Sequence, residues 1–266
     1  MKNTLTAGLR SARHAALACL MGLAAVAASA QTAAVPAKRS YLVVSLLGDS
    51  ITAVTQQSRT GTRISRNAQE TLALPEGIFD KPVLMSVESA IKAAEPAADI
   101  TVLAIGAVKS LGDAEKFSDG SELRLPAKMD TWLKQVNTTH LLLVTPHRAE
   151  ANIKGDRDGI GSGTLQGLGF FIDRELKVKN VETGEYRDGY LAPYTYFKLQ
   201  LVDRASGKIV RQQLVTEAVM LGDGRAGDPW EVMSTQDKVT TLRGMLNEQI
   251  ALRMPKMLAS DTAPAR

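Results

Sequence analysis

The 266-residue chain contains one cysteine, three histidines, two tryptophans, five tyrosines and five phenylalanines. The cysteine, Cys19, falls among the first thirty residues, so the rest of the chain has no thiol. That absence excludes disulfides, thiolate metal sites and cysteine nucleophiles from everything after residue 30. Imidazoles are almost as scarce, since only His140 and His147 follow His14. Long apolar runs are missing too. The stretch Ala15–Ala28 is shorter than the roughly 20 residues a membrane-spanning helix needs, and no later stretch approaches that length.

What the first thirty residues do contain is the pattern of a secretory leader. Lys2, Arg10 and Arg13 form a basic start, Ala15–Ala28 an apolar middle, and Ala28-Ser29-Ala30 a small-residue cleavage pattern. The expectation is a signal peptide over 1–30 and a mature chain beginning at Gln31. A lipidated Cys19 would want leucine three positions earlier, where Ala16 stands. The chain has 32 Lys+Arg against 28 Asp+Glu, but three of the bases and none of the acids precede Gln31. The mature protein is therefore near neutral, which gives no reason to expect nucleic-acid binding or attraction to a membrane surface. These features read as a periplasmic or secreted protein, long enough to bury a core without disulfides.

Gln31–Lys38 reads as a flexible lead-in, 39–258 as a single domain and Ala259–Arg266 as a frayed tail. Tyr41–Leu47 and Ser50–Gln56 read as strands, and the Gly48-Asp49 break between them as a hairpin turn. Asp80 and Pro82 open a helix with Val83, Leu84, Val87 and Ile91 on one face. Ile100–Ile105 is a buried strand. Pro126 opens a helix carrying Met129, Leu133 and Val136, and Leu141–Val144 is a further buried strand. Tyr194–Val202 and Ile209–Met220 form an antiparallel pair across the turn Asp203–Lys208. A last helix starts at Ser234, carries Val239, Leu242, Leu246, Ile250 and Met254, and weakens at Pro255. This pattern predicts an α/β domain: a mixed sheet with helices packed on it, βαβ-like early, an antiparallel hairpin late, and a C-terminal helix. The order of elements resembles that of small envelope-associated α/β modules such as the amino-terminal domain of TolB.

Gly48-Asp49-Ser50-Ile51 resembles the nucleophile block of GDSL (SGNH) hydrolases. The resemblance implies an ester-cleaving serine, here Ser50, whose hydroxyl needs an oriented imidazole to take its proton. That family also carries a Gly-x-Asn-Asp block and an Asp-x-x-His near the C-terminus, and neither occurs here. His147 is the imidazole left for a pairing with Ser50, on the condition that both stand at one edge of the sheet. Metal and nucleotide sites are not expected. Asp156-x-Asp158-Gly159 begins like a calcium loop, but Gly161 and Gly163 stand where further oxygen ligands belong. The glycines from Gly159 to Gly169 match neither G-x-G-x-x-G nor a Walker motif. No cofactor is implied.

Pro146–Gly169 reads as a long polar loop without structure of its own, a kind of segment that is often functional. It carries His147, Arg148, Glu150, Lys154, Asp156, Arg157 and Asp158. Beyond it stand Phe170, Phe171, Tyr186, Tyr190, Tyr194, Tyr196 and Phe197. Tyrosines beside a polar loop suit contact with a peptide, a glycan or a protein surface. Arg59, Arg63 and Arg66 offer a second basic loop for carboxylate or phosphate groups. The reading is a non-enzymatic exported α/β protein that binds an envelope protein or glycan through Arg148, Arg157, Tyr186, Tyr190 and Tyr194. Its alternative is a serine esterase using Ser50 and His147.

Overall fold

In chain order the elements are β1 (Ser40–Ser45), β2 (Ser50–Thr55), β3 (Ala68–Ala73), α1 (Asp80–Ala94), β4 (Asp99–Ala104), a 3-10 turn (Ala114–Phe117), and the short strands β5 (Ser118–Asp119) and β6 (Glu122–Leu123). There follow α2 (Ala127–Gln135), β7 (His140–Pro146), β8 (Arg148–Glu150), β9 (Thr164–Lys179), β10 (Tyr186–Asp203), β11 (Ile209–Ala218) and α3 (Thr235–Leu258). The computed structural model describes residues 38–57, 67–104, 114–119, 121–155, 160–179, 184, 186–221 and 227–259. Arg59, Arg63, Arg66, Arg157 and the Asp156–Gly159 segment lie outside these residues, as do residues 1–37 with Cys19 and residues 260–266.

Among the described residues the main mixed sheet has the order β3-β2-β9-β10-β7-β1-β4, with β11 on the other edge of β10 and β8 on β9, and β5 and β6 form a separate two-stranded sheet. β1 lies parallel to both β4 and β7, and the chain passes through β2, β3 and α1 before it returns as β4. β10 runs antiparallel to β7, β9 and β11. A mixed sheet with helices on it and a C-terminal helix is the fold that the element pattern predicts.

Both faces of the sheet are covered at β1, which is why this strand reads as an unbroken apolar run, whereas edge strand β3 is exposed throughout. Alternate residues go to opposite sides. Tyr41 and Val43 join the cluster under α1 and α3, whereas Leu42 and Val44 pack under α2 with Phe117, Met129 and Leu133. The helical spacing holds where it was expected, since Val83, Leu84, Val87 and Ile91 of α1 are all buried. Each such side chain contributes roughly 1.5–3 kcal/mol of hydrophobic stabilisation. Ser234 caps α3 by accepting from Asp237 N at 3.1 Å.

Three expectations need correction. β1 and β2 are not a hairpin. β1 pairs with β4 and β7, while β2 pairs with β3 and β9. Given those registers, β1 and β2 run in the same direction, as two halves of one bent strand. The corner at Gly48, with φ +80°, kinks the chain rather than reversing it. Next, Pro146–Gly169 is not structureless. β8 pairs with the start of β9, Ile153 bridges Ile160, and the resulting hairpin folds over the tyrosine face of the sheet. Finally, the strand expected to be buried at Ile100–Ile105 is β4, which ends the sheet order and leaves Thr101 and Val102 exposed. As the domain boundary expected at 258 implies, α3 runs through Pro255 to Leu258. Burial of Met257 and Leu258 holds this last turn, and Arg211 donates to the carbonyls of Met257 and Ala259.

Candidate functional site

The Gly48-Asp49 corner is pinned by two carboxylates. Asp49 Oδ1 accepts from Ile78 N at 3.0 Å, and its carbonyl accepts from Leu74 N at 2.9 Å. Asp80, the first residue of α1, accepts from Ser45 Oγ at 2.5 Å and from Leu47 N at 3.1 Å. Burial pushes the Asp80 carboxyl up to about 6, against the pull of the Ser45 hydrogen bond, and nearby Asp49 adds to the rise. The four-residue block therefore ties the bend in the strand to the start of a helix. Ser50, the residue after the corner, starts β2, which is paired on both edges.

Past the corner a crevice of about 270 Å³ opens between the β2–β3 hairpin and the root of the β8–β9 hairpin. Ser50, Thr52, Gln69 and Thr71 form one wall. Arg148, Thr164 and Gln166 form the other, and Leu47, Val54, Pro146, Gly167, Leu168 and Tyr194 complete the lining. Two local features create this opening. β2 engages β9 only from Thr52↔Gly169 onward. Near the same level β10 exchanges neighbours, its Phe197 facing Pro146 of β7 and its Tyr196 facing Gly167 of β9. The exchange is stitched by His147 N to Tyr196 O at 2.9 Å and Gly167 N to His147 O at 3.4 Å. The two hairpins are also tied directly, by Asn67 Nδ2 donating to Ser162 O at 2.6 Å. Ligand sites in open α/β sheets favour such places, where strand connectivity diverges.

The crevice wall is polar. Arg148 donates from Nε and one Nη to Thr164 Oγ1, at 3.3 and 3.2 Å. Among the described residues that line it, this guanidinium is the one charged group, and the other polar groups are hydroxyls and primary amides. Among the described residues no cluster of three or more His, Cys, Asp or Glu could hold a metal ion.

The residues singled out from sequence separate into groups. Arg148 and Tyr194 both line the crevice, along with Thr164–Leu168 of the glycine-rich segment. Tyr194 is fully buried, so its ring belongs to the core and meets the crevice only from below. Its hydroxyl donates to Thr52 O at 3.3 Å, and burial raises its pKa. Tyr190 is 4% exposed and stacks on Phe171 with ring centroids 6.2 Å apart. Tyr196 is buried as well; its hydroxyl donates to Glu150 O and accepts from Asn152 N, both at 3.2 Å. These tyrosines fasten the β8–β9 hairpin to the sheet, so the surface they were expected to form is an internal seam. Tyr186 alone is well exposed, at 68%. It pairs with Lys179 at the far end of the β9–β10 hairpin, eight residues and so about 27 Å along the strand from Tyr194. Ser50 is half-buried and lines the crevice, whereas His147 is half-buried and is not among the lining residues. Sequence reasoning missed Gln69, Thr71, Thr164 and Gln166. Their only signal was alternation of polar residues in strands whose partners were unknown.

No family model and no curated protein matches the sequence. Remote likenesses occur among solved structures. One is a Xanthomonas campestris protein of the DUF330 family, at 8% identity and a TM-score of 0.38, over 84% of this chain and 87% of that one. Another is a neuraminyllactose-binding hemagglutinin homolog from Helicobacter pylori, at 7% identity and a TM-score of 0.35, over 84% of each chain. A lipoprotein from Neisseria meningitidis matches at 12% identity and a TM-score of 0.27, over 80% of this chain and 99% of that one. These are similarities of chain path, and none of the crevice chemistry rests on them.

Proposed function

We propose that this chain is an exported, non-enzymatic module of the cell envelope that binds a partner or ligand at the crevice between its two hairpins. Export is supported by the leader-like composition of Met1–Ala30. The observation that carries the binding reading is convergence. Ser50 on β2 and the β8–β9 hairpin that carries Arg148 and Thr164 are far apart in sequence and share one polar opening at a divergence in the sheet. Against chemistry stands the composition of the lining: it holds a serine and a guanidinium, but no imidazole and no carboxylate among its described residues. A serine hydroxyl without a base is a poor nucleophile.

Hydrogen–deuterium exchange in the presence of a cell-envelope fraction tests the reading. Protection is expected at residues 50–54, 69–71 and 164–168, and it should disappear in a Thr71→Trp variant that fills the opening. Protection confined to other elements would refute it. The esterase alternative is checked on the same protein with a p-nitrophenyl ester. Turnover that Ser50→Ala abolishes would establish the hydrolase instead.

A further inference from the structure

The wall of the crevice has a composition that selects a ligand class. Ser50, Thr52, Thr71 and Thr164 offer hydroxyls, each of which both donates and accepts. Gln69 and Gln166 add two primary amides, and Arg148 adds a fixed positive charge. An apolar ligand would have to strip water from all of these groups without replacing it. A divalent cation would want carboxylates, and a cationic ligand would meet a guanidinium and no carboxylate among the described lining residues. A ring bearing several hydroxyls can answer each hydroxyl and amide in turn, because vicinal alcohols also donate and accept. Leu47, Pro146 and Leu168 supply the apolar surface on which the C–H face of such a ring can rest. The volume, about 270 Å³, is below the roughly 300–1,000 Å³ of sites for drug-sized ligands. It suits one ring, not a chain of them.

We infer that the crevice takes a single acidic sugar unit, with its hydroxyls against the threonine and glutamine side chains and its carboxylate or phosphate against Arg148. This rests on the reading of the crevice as the binding site. Arg148 lies at the root of a hairpin, on β8, with its guanidinium oriented by Thr164. Its planar fork matches a carboxylate or phosphate oxygen pair. The opening faces solvent on the side of Gln69 and Thr71, both exposed on edge strand β3, so the ring can be the end of a longer glycan outside.

Isothermal titration of the full chain with glucuronic acid, glucose 6-phosphate and glucose tests this. At least one acidic sugar should bind about tenfold or more tightly than glucose, the worth of one charge-assisted hydrogen bond. Arg148→Gln should remove that preference, and Gln166→Ala should weaken both acidic and neutral sugars. Binding of glucuronic acid alone marks a carboxylate as the anionic group, and binding of glucose 6-phosphate alone marks a phosphate. Equal affinity for glucose and both acids overturns the proposal, and so does acetate or inorganic phosphate binding as well as the sugar acids. Absence of any sugar binding at millimolar concentration also overturns it. In that last case, envelope-dependent protection at residues 50–54 and 164–168 would leave the binding-site reading standing, whereas protection elsewhere would remove both. Arg148 is exposed and Gln166 half-buried, and an unchanged thermal midpoint in each variant separates lost binding from lost folding.

Discussion

The Tyr194 hydroxyl reaches across Gly169 to donate to the carbonyl of Thr52, at 3.3 Å. The three residues are neighbours in register, Thr52 beside Gly169 and Gly169 beside Tyr194. The tyrosine ring covers the space where a side chain of the middle strand would stand. A Cβ on Gly169 would lie 2.0 Å from Thr52 O and 2.4 Å from Tyr194 Oη. Gly169→Ala must therefore separate β2 from β9 or expel the tyrosine, at an expected cost of about 3 kcal/mol. Adding Tyr194→Phe relieves only the hydroxyl contact, so the double variant should recover a minority of that loss. Urea midpoints measure both, and an alanine variant as stable as the wild type would contradict the packing described.

Two buried tyrosines on the same strand should respond oppositely to loss of the hydroxyl. Tyr190 Oη is buried with no hydrogen-bond partner, and burial together with the nearby Asp173 raises its pKa. Its desolvation is uncompensated, so Tyr190→Phe should stabilise the protein by about 1 kcal/mol. Tyr194→Phe gives up a hydrogen bond that is made in the wild type, so it should cost about 1 kcal/mol. The two denaturation curves should fall on opposite sides of the wild-type curve.

The contrast between these tyrosines also shows where sequence reasoning stops. Helix α1 was legible because Val83, Val87 and Ile91 repeat at a period that only a helix turns into one face. The Gly48-Asp49 corner was half legible. A glycine followed by aspartate signals a bend, but whether the bend reverses the chain depends on which strands flank it, and those partners, β4 and β7 for β1 and β3 and β9 for β2, come from elsewhere in the chain. The tyrosines were misread because a ring with a polar tip is at home on a surface or in a core. The deciding factor is the hairpin from Arg148 to Gln166, whose glycines and charges gave no sign that it folds back over the sheet. The crevice was invisible for the same reason: its walls are alternate polar residues of four strands, brought together only by register.

Asp80 gives the fold a pH dependence of determined sign. Its carboxyl is buried at the junction of β1, the corner and α1, and sits at about 6. Because that value exceeds the ordinary carboxylate value of 3.8, the folded protein keeps a proton that the unfolded chain releases. The resulting stabilisation is complete below about pH 4 and is lost as pH rises through about 6, a change of about 3 kcal/mol. Asp80→Asn stays neutral throughout and keeps an oxygen to accept from Ser45 and Leu47. Its stability relative to the wild type should therefore rise between pH 4 and pH 7 by about that amount. Asp49→Asn removes the neighbouring charge and should move the midpoint of the change down. Urea unfolding at several pH values reads this directly, and a difference between wild type and Asp80→Asn that does not vary with pH would refute the buried-acid assignment.

Arg204, in the turn between β10 and β11, closes the C-terminal end of α2. Its guanidinium donates to the carbonyls of Leu133 and Val136, and to Thr138 Oγ1 at 2.7 Å. The last carbonyls of a helix have no partner within it, and a cation there also meets the favourable end of the helix dipole. α2 is only nine residues long, with Met129 and Leu133 as its buried anchors, so it has little other means of holding its final turn. Arg204→Ala should cost about 2 kcal/mol, the range for hydrogen bonds from a charged donor. Arg204→Lys should recover less than half of that. An ammonium is a point donor and cannot span two carbonyls as the planar fork does. Amide exchange separates this from a general loss of stability: protection should fall first in 131–136 while α1 and α3 keep theirs at matched global stability. Exchange in α2 that is unchanged by Arg204→Ala would show that packing of Met129 and Leu133 alone holds the helix.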